Sequence, residues 1–240
     1  MSAAPGLHLS GTARIGGTAV FGPLSLDAPA GQWTCLLGPS GAGKSTILRL
    51  FAGLADGAAL EGTAAASDGA SLEGRVALMA QEDLLMPWLS VLANVTLGAR
   101  LRGGRPDRKK AQVVLARVGL DGHAAKRPAA LSGGQRQRVA LARTLMEERP
   151  VVLLDEPFSA LDARTRAQMQ DLSAELLKGR TVLHVTHDPA EAARLGQSIL
   201  VLAETGLATI PPPATAPPRP IDAPETLELQ GRLHRRLMET

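Results

Sequence analysis

The sequence predicts an α/β protein with a largely parallel sheet, and three observations carry that expectation. Short apolar runs alternate with helical periodicity: residues 33–37 precede a helical pattern over 44–54, residues 151–154 precede one over 163–177, residues 181–186 precede one over 189–195, and a last run covers 199–202. Strands joined by crossover helices produce that alternation. A glycine-rich segment, Gly38-Pro39-Ser40-Gly41-Ala42-Gly43-Lys44-Ser45, lies between the first apolar run and its helix. Between Gln81 and Ala130 only helical patterns remain, which predicts a helical lobe inserted between two parts of the sheet domain.

A chain of 240 residues with 45% hydrophobic content is long enough for one large domain, or a domain with an inserted lobe, and apolar enough for a real core. Those numbers exclude wholesale disorder. No apolar run approaches the ~18 residues that a membrane-spanning helix needs, and the N-terminus lacks a basic region followed by an apolar block. The chain is therefore expected to be soluble and to stay inside the cell. Cys35 is the single cysteine; it lies within the run 33–37, where strand packing is its expected role, and one thiol cannot build an intrachain disulfide framework or a cysteine metal cluster. The net charge of +3 is unevenly spread, because residues 100–127 hold nine Lys or Arg against Asp107 and Asp121, a segment of +7 that leaves −4 for the rest. Charges scattered along helices read first as a solvated face and second as an approach to an anionic membrane. With no Tyr, three Phe and two Trp there is little aromatic surface on which single-stranded nucleic acid could stack, so no nucleic acid partner is expected.

Along the chain, residues 62–74 are rich in Ala, Ser and Gly and read as surface strands or loops. Helical segments over 91–101 and 107–118 are separated by Gly103-Gly104, and a further helix is expected over 135–146. Beyond Leu207, Pro211-Pro212-Pro213 and Pro217-Pro218 stiffen a linker toward extended polyproline geometry. Over 225–238, Leu229, Leu233 and Leu237 fall four apart on one helical face that should dock somewhere. The expected organisation is a domain over 1–207 with the lobe at about 82–135, then a Pro-rich linker and short helix over 208–240.

The segment from Gly38 to Ser45 has the context its pattern requires, a strand before it and a helix after it. Glycines let successive backbone N–H groups turn inward around phosphate oxygens, and the helix N-terminus reinforces them. Lys44 then bridges the β- and γ-phosphates of a nucleoside triphosphate, Ser45 ligates Mg²⁺, and Thr46 reaches the α-phosphate side. The run 151–154 delivers Asp155 and Glu156 at a strand's C-terminal end, where the ligands of parallel sheets collect. Neighbouring strand residues point opposite ways, so Asp155 faces the Mg²⁺ shell while Glu156 faces the γ-phosphate and polarises an attacking water, a general-base task typically worth ~10²–10⁴ in rate. His187 follows the run 181–186, where it can donate to the γ-phosphate and sense its presence. His184 and His123 fit no such pattern. Ser132 and the N–H groups of Gly133 and Gly134, ahead of the helix at 135–146, make a second anion site on a different surface.

The phosphate loop, the pentapeptide Leu131-Ser132-Gly133-Gly134-Gln135 that begins 87 residues after Lys44, and Val151-Val152-Leu153-Leu154-Asp155-Glu156 together resemble the ATP-binding cassette (ABC) family. Val185-Thr186-His187-Asp188 with Glu191 is similar to that family's switch-histidine segment, and the resemblance runs from about Gly6 to Leu202. It implies a phosphate-loop NTPase core with a mostly parallel sheet, an N-terminal antiparallel β portion and an inserted helical lobe. It also implies Mg-dependent ATP hydrolysis, with ATP and Mg²⁺ as cofactors. In that family the pentapeptide faces ATP held by a second copy of the chain, which makes Ser132, Gly133, Gly134 and Gln135 nucleotide-binding residues across a head-to-tail homodimer. Ser159-Ala160-Leu161-Asp162 would cross the same seam. Gln81, 37 residues after Lys44, takes the place of the glutamine that contacts Mg²⁺ or the water and signals between lobes. Alignment by Gly16-Gly17 puts Ile15 where the family stacks adenine on an aromatic ring, with Phe21 the nearby aromatic substitute. Leu84-Leu85-Met86-Pro87-Trp88 looks like the segment with which importer ATPases of the nitrate, sulfonate, taurine and pyrimidine-precursor group contact their permease, packing between lobes being the other reading.

The resemblance therefore implies the ATPase subunit of a bacterial importer of a small organic or inorganic solute, peripheral on the cytoplasmic face of the inner membrane. Its partners would be separate transmembrane permease subunits and an extracytoplasmic solute-binding protein. Three alternatives stay open: an exporter subunit, because the permease sets direction; a soluble DNA-associated or regulatory ATPase, on the strength of the basic segment; and a partner-binding module with a decayed site, prompted by Ile15.

Overall fold

The computed structural model describes residues 4–55, 57–203 and 206–239. In chain order its elements are β1 (Leu7–Ile15), β2 (Thr18–Ala28), β3 (Trp33–Leu37), α1 (Lys44–Ala52), β4 (Ala58–Ala66) and β5 (Val76–Met79). A helical stretch follows, with α2 (Val91–Val95), α3 (Leu97–Leu101), α4 (Arg108–Arg117), a 3₁₀ turn (Pro128–Ala130) and α5 (Gly133–Met146). Then come β6 (Val151–Asp155), α6 (Ala163–Leu176), β7 (Thr181–Thr186), α7 (Pro189–Leu195), β8 (Ser198–Ala203), β9 (Gly206–Ile210) and α8 (Pro224–Met238). The chain divides into two compact units, one of residues 1–78, 149–156 and 178–240, the other of residues 79–148 and 157–177.

The first unit holds two sheets. One is three-stranded, in the order β2-β1-β4, with both pairings antiparallel. Its strands alternate as half-buried strands must: Leu24, Leu26 and Ala28 of β2 are buried while Ser25 and Asp27 between them are exposed. The other sheet runs β5-β6-β7-β3-β8-β9, with β6, β7, β3 and β8 mutually parallel and β9 antiparallel to β8. Every residue of β3, β6 and β7 is buried, the continuous apolar pattern of strands covered on both faces. Leu36, Leu153, Val185 and Leu200 point to a core shared with Leu9 and Leu26 of the antiparallel sheet and Ile47, Leu48 and Phe51 of α1. On the opposite face α7 packs on β3 and β7, and α8 on α7 and β8. Cys35 is fully buried in β3, and burial pushes its thiol pKa up, so it is held as the protonated, inert form.

The tail differs from the linker expected over 208–223. β9 runs on to Ile210, and beyond it Arg219 is fully buried, its guanidinium donating to the carbonyls of Ala193, Gly196, Pro213 and Thr215. Extended polyproline backbone leaves its carbonyls unpaired by any local helix or ladder, and a single guanidinium with five donors collects them. In α8, Leu229 and Leu233 are buried and Leu237 is half-buried, the docked face that the leucine spacing predicts.

The second unit is helical, and it takes in α5 and α6 as well as residues 82–135. Val91, Val95, Ala111, Leu115, Val139 and Leu141 form its interior. The single helical segment expected over 91–101 is broken at Thr96, whose backbone turns to φ −96°, ψ 7° and whose hydroxyl donates to the Leu92 carbonyl at 2.9 Å. The Leu92 carbonyl accepts both that hydroxyl and the Thr96 N–H, at 3.1 Å, and threonine followed two residues later by Gly98 gives little helix propensity to carry the helix through. Of the basic residues between 100 and 127, Arg102 pairs with Glu147, Lys110 with Glu148 and Arg117 with Glu175, which favours the solvated-face reading of that charge.

Leu233→Ala is expected to destabilise the protein by about 2–5 kcal/mol, the usual range for emptying a buried leucine site, read as a lowered urea midpoint. An unchanged midpoint would show that α8 is not docked in solution.

Candidate nucleotide-binding and hydrolysis site

β3 ends at Leu37 and α1 starts at Lys44, so Gly38 to Gly43 form the turn between them and Lys44 and Ser45 open the helix. Gly43 caps α1 in the left-handed region at φ 88°, and an added Cβ there would sit 2.9 Å from a Val20 methyl and 3.0 Å from the Phe21 ring. Gly38 is closer still to its surroundings: its Cβ would lie 2.6 Å from the Leu202 carbonyl oxygen. Only glycine lets the backbone approach both neighbours. Lys44 is buried, and its ammonium donates to the carbonyls of Gly38 at 2.8 Å and Pro39 at 2.7 Å, curling the loop around its own cation. Burial pushes the Lys44 pKa down, while the charges of Glu156 and Asp155 hold it up.

The Ser45 side chain lies near enough to the Asp155 carboxylate for its hydroxyl to favour the ionised form. Burial pushes the Asp155 pKa up from the ordinary carboxylate range, Ser45 pulls it down, and the neighbouring Glu156 pushes it up again. A carboxylate that burial makes costly to ionise, next to a hydroxyl oxygen, is a hard-oxygen pair that a divalent cation would relieve. Among the described residues no cluster of three or more His, Cys, Asp or Glu could hold a metal by itself. Mg²⁺ characteristically takes one or two protein oxygens and completes its shell with substrate phosphates and water, so the donor set fits it.

The parallel registers bring the next two residues together. Asp155 of β6 stands opposite Val185 of β7, and Thr186 of β7 stands opposite Leu37 of β3. Glu156 lies outside the strand: its N–H donates to the Val185 carbonyl at 3.0 Å and its backbone turns left-handed, φ 47°. This turn, rather than strand alternation, is what sends its side chain away from that of Asp155. A non-glycine residue in that region is strained by about 1–3 kcal/mol and persists where the surroundings over-determine it. Glu156 Oε1 lies 3.1 Å from His187 Nδ1, with the carboxylate largely buried and the imidazole 58% exposed.

Behind this pair runs a buried polar chain that sequence reasoning did not find. The Trp33 indole N–H donates to His184 Nδ1 at 3.3 Å, His184 Nε2 lies 3.2 Å from Glu191 Oε2, and the Thr186 hydroxyl donates to the same oxygen at 2.8 Å. With Nδ1 accepting from the indole, the neutral His184 ring carries its proton on Nε2 and donates it to Glu191. His184, unassigned by pattern, is therefore a structural link between β3, β7 and α7.

In the second unit, Ser132 is the N-cap of α5 in a complete capping box: its hydroxyl accepts from the Gln135 N–H at 3.3 Å, and the Gln135 amide oxygen accepts from the Ser132 N–H at 2.9 Å. The box leaves the N–H groups of Gly133 and Gly134 at the positive end of a 14-residue helix. Gln137, also missed in the sequence, accepts from the Ala160 N–H at 2.9 Å and donates to the Ser159 hydroxyl at 3.3 Å, latching the 159–162 turn to the signature helix. Asp162 then caps α6. Gln81 is exposed, and with Gly133, Arg136, Gln137 and Ser159 it lines a cavity of about 400 Å³ in this unit. Leu84 and Trp88, 53% and 67% exposed, stand out as large apolar side chains near it in the chain.

Ile15 ends β1 beside the Gly16-Gly17 turn and is half exposed, so it offers an aliphatic surface. Phe21 is buried against the phosphate loop in the core and is not available as a stacking platform.

The family model for the ABC transporter matches residues 21–159. The chain belongs to the ABC transporter family. It is 44% identical over 224 residues to an uncharacterized ABC transporter ATP-binding protein of Haemophilus influenzae, covering 90% of this chain and 92% of that protein. It is also 44% identical over 239 residues to the aliphatic sulfonates import ATP-binding protein of Delftia acidovorans, covering 98% and 95%. The solved dimeric structure of a bacterial ABC transporter cassette superposes with a TM-score of 0.76 at 30% identity, over 87% of this chain and all of that one. The chain is thus an ATP-binding and ATP-hydrolysing ABC transporter subunit, and none of its described helices is long and apolar enough to cross a membrane.

In this ABC subunit Gly38→Ala is expected to weaken ATP binding at least about tenfold, since a methyl against the Leu202 carbonyl must displace the loop and overpacking typically costs about 1–3 kcal/mol. An unchanged dissociation constant in a fluorescent-nucleotide titration would show that this close approach does not shape the phosphate site.

Proposed function

We propose that this subunit drives the import of a small anionic solute, the sulfonate-bearing class named for its Delftia relative, by hydrolysing Mg-ATP between two copies of itself. The observation that carries the catalytic part is the convergence of Lys44, the Ser45–Asp155 pair and the Glu156–His187 pair at the ends of three adjacent parallel strands. The backbone from Gly38 to Gly43 cradles the phosphate chain, Lys44 exchanges its loop carbonyls for β- and γ-phosphate oxygens, and Thr46 reaches the α-phosphate side. Mg²⁺, held by Ser45 and Asp155, would neutralise developing charge on the transferred phosphoryl group.

Glu156 accepts the proton of a water whose oxygen attacks the γ-phosphorus, while the bond to the β-phosphate bridging oxygen breaks and leaves ADP and phosphate. With His187 Nδ1 engaged by Glu156, Nε2 is the ring atom left for the γ-phosphate. Ser132, Gly133, Gly134 and Gln135 serve the ATP of the second copy, which the N-terminus of α5 suits by its dipole and uncapped amides. Ile15 contacts adenine with aliphatic surface, a weaker hold than ring stacking. The exposed Leu84 and Trp88 favour the docking reading of their segment, with a separate permease as the occupant. That placement makes the protein peripheral on the cytoplasmic membrane face, with a solute-binding protein supplying cargo from the other side.

Glu156→Gln is expected to slow Mg-ATPase turnover by about 10²–10⁴ while leaving ATP binding in place; wild-type turnover in this variant would remove Glu156 as the base. Trp88→Ala is expected to weaken capture by the detergent-solubilised permease at least tenfold, on the order of what a central tryptophan contributes to an interface. Undiminished capture would place the docking surface elsewhere.

A further inference from the structure

α7 has seven residues, too few to stay helical by itself in water, and each end is fastened by a different part of the first unit. At the N-terminal end, Asp188 caps the Ala190 N–H at 2.8 Å, and the Asp188 N–H donates to the Thr186 hydroxyl at 3.0 Å, which in turn donates to the buried Glu191. His187 is the residue between Thr186 and Asp188, so this knot holds its backbone on both sides.

At the C-terminal end the last carbonyls of a helix have no intrahelical partners. Here they are collected by Arg219. Its Nη1 donates to the carbonyls of Ala193 and Gly196, both at 2.9 Å; its N–H donates to the Arg194 carbonyl at 2.9 Å; and Arg194 Nε donates back to the Arg219 carbonyl at 3.2 Å. The remaining donors, Nη2 and Nε, hold Pro213 at 3.2 Å and Thr215 at 2.8 Å. One guanidinium thus closes the Pro-rich segment into a loop and clips that loop onto α7. Only 2% of Arg219 is exposed, so shortening the side chain removes buried donors from four carbonyls at once.

We propose that Arg219 is a positioning residue for His187, acting through α7 on the hydrolysis step and not on ATP binding. This rests on the assignment of His187 to the γ-phosphate. Without Arg219 the last turn of α7 frays, the Glu191 end loses its rigid lever, and His187 spends less time within reach of Glu156. The phosphate loop is carried by β3 and α1, so nucleotide binding is spared.

The test is steady-state and single-turnover ATP hydrolysis by the full chain, by Arg219→Ala and by Arg219→Lys, each also in a His187→Ala background. Small misplacements of a reacting group cost up to about 10²-fold. Arg219→Ala is therefore expected to lower kcat about tenfold or more with KM for ATP within about twofold, and Arg219→Lys, which keeps the charge and fewer donors, to fall between. In the His187→Ala background neither change should slow hydrolysis further. The inference is overturned if Arg219→Ala leaves kcat unchanged, if KM rises instead, or if the loss is equally large without His187. Should Arg219→Ala not fold, the same comparison with Arg219→Lys decides: a loss confined to the chain that keeps His187 supports the inference, and no loss or an equal loss in both overturns it. Absence of hydrolysis in the unaltered chain would instead sink the proposed function itself.

Discussion

The in-register parallel pairing of β6, β7 and β3 is the constraint on which the rest of the catalytic geometry depends. Leu37 opposite Thr186, and Asp155 opposite Val185, mean that the three chains leave the sheet at one level. The phosphate loop, Glu156 and His187 are therefore delivered side by side without any of them being adjacent in sequence. A slip of one residue in any of these strands would reverse its side-chain faces and exchange the shapes packed against α1 on one side of the sheet and α7 on the other. The catalytic arrangement is in this sense a by-product of core packing.

Onto that frame the site adds charges that are expensive when nothing is bound. Lys44 is buried with its pKa pushed down, Asp155 is buried with its pKa pushed up, and Glu156 sits in a strained left-handed turn. In the proposed reaction the Lys44 ammonium would meet phosphate and the Asp155 carboxylate a metal ion, which would offset the two burial costs. Groups held in advance at such cost do not need to reorganise when charge develops in the transition state.

How much of this was legible in the sequence depended on whether the information was local. The glycine-rich turn between β3 and α1 and the leucine face of α8 are each written within a few consecutive residues, and the structure builds each where the pattern puts it, whereas α5 starts at Gly133, two residues before the helix expected at 135. The helical run at 91–101 was less secure, because Thr96 and Gly98 within it give little helix propensity. Glu156 was placed on the strand, since the left-handed turn that removes it is dictated by its bond to Val185 on the next strand. Gln137, His184 and Arg219 were out of reach for the same reason: each has partners far along the chain, 22 and 23 residues away for Gln137, up to 26 for Arg219 and 151 for the Trp33–His184 bond. A buried arginine in a proline-rich stretch looks from sequence like any solvated linker charge.

The proposed division of labour, in which this chain would hydrolyse ATP and other chains would choose cargo, suits a site built mainly of phosphate-handling groups. Everything specific about the chemistry returns to one phosphate chain seated where three strands end. A crystal structure of the Glu156→Gln chain with ATP and Mg²⁺ tests this most directly. The account predicts the triphosphate within the loop from Gly38 to Ser45, Lys44 released from the Gly38 and Pro39 carbonyls onto phosphate oxygens, Ser45 and Asp155 around the metal, and His187 against the γ-phosphate. Phosphates seated outside that loop, or a metal held without Ser45 and Asp155, would contradict it.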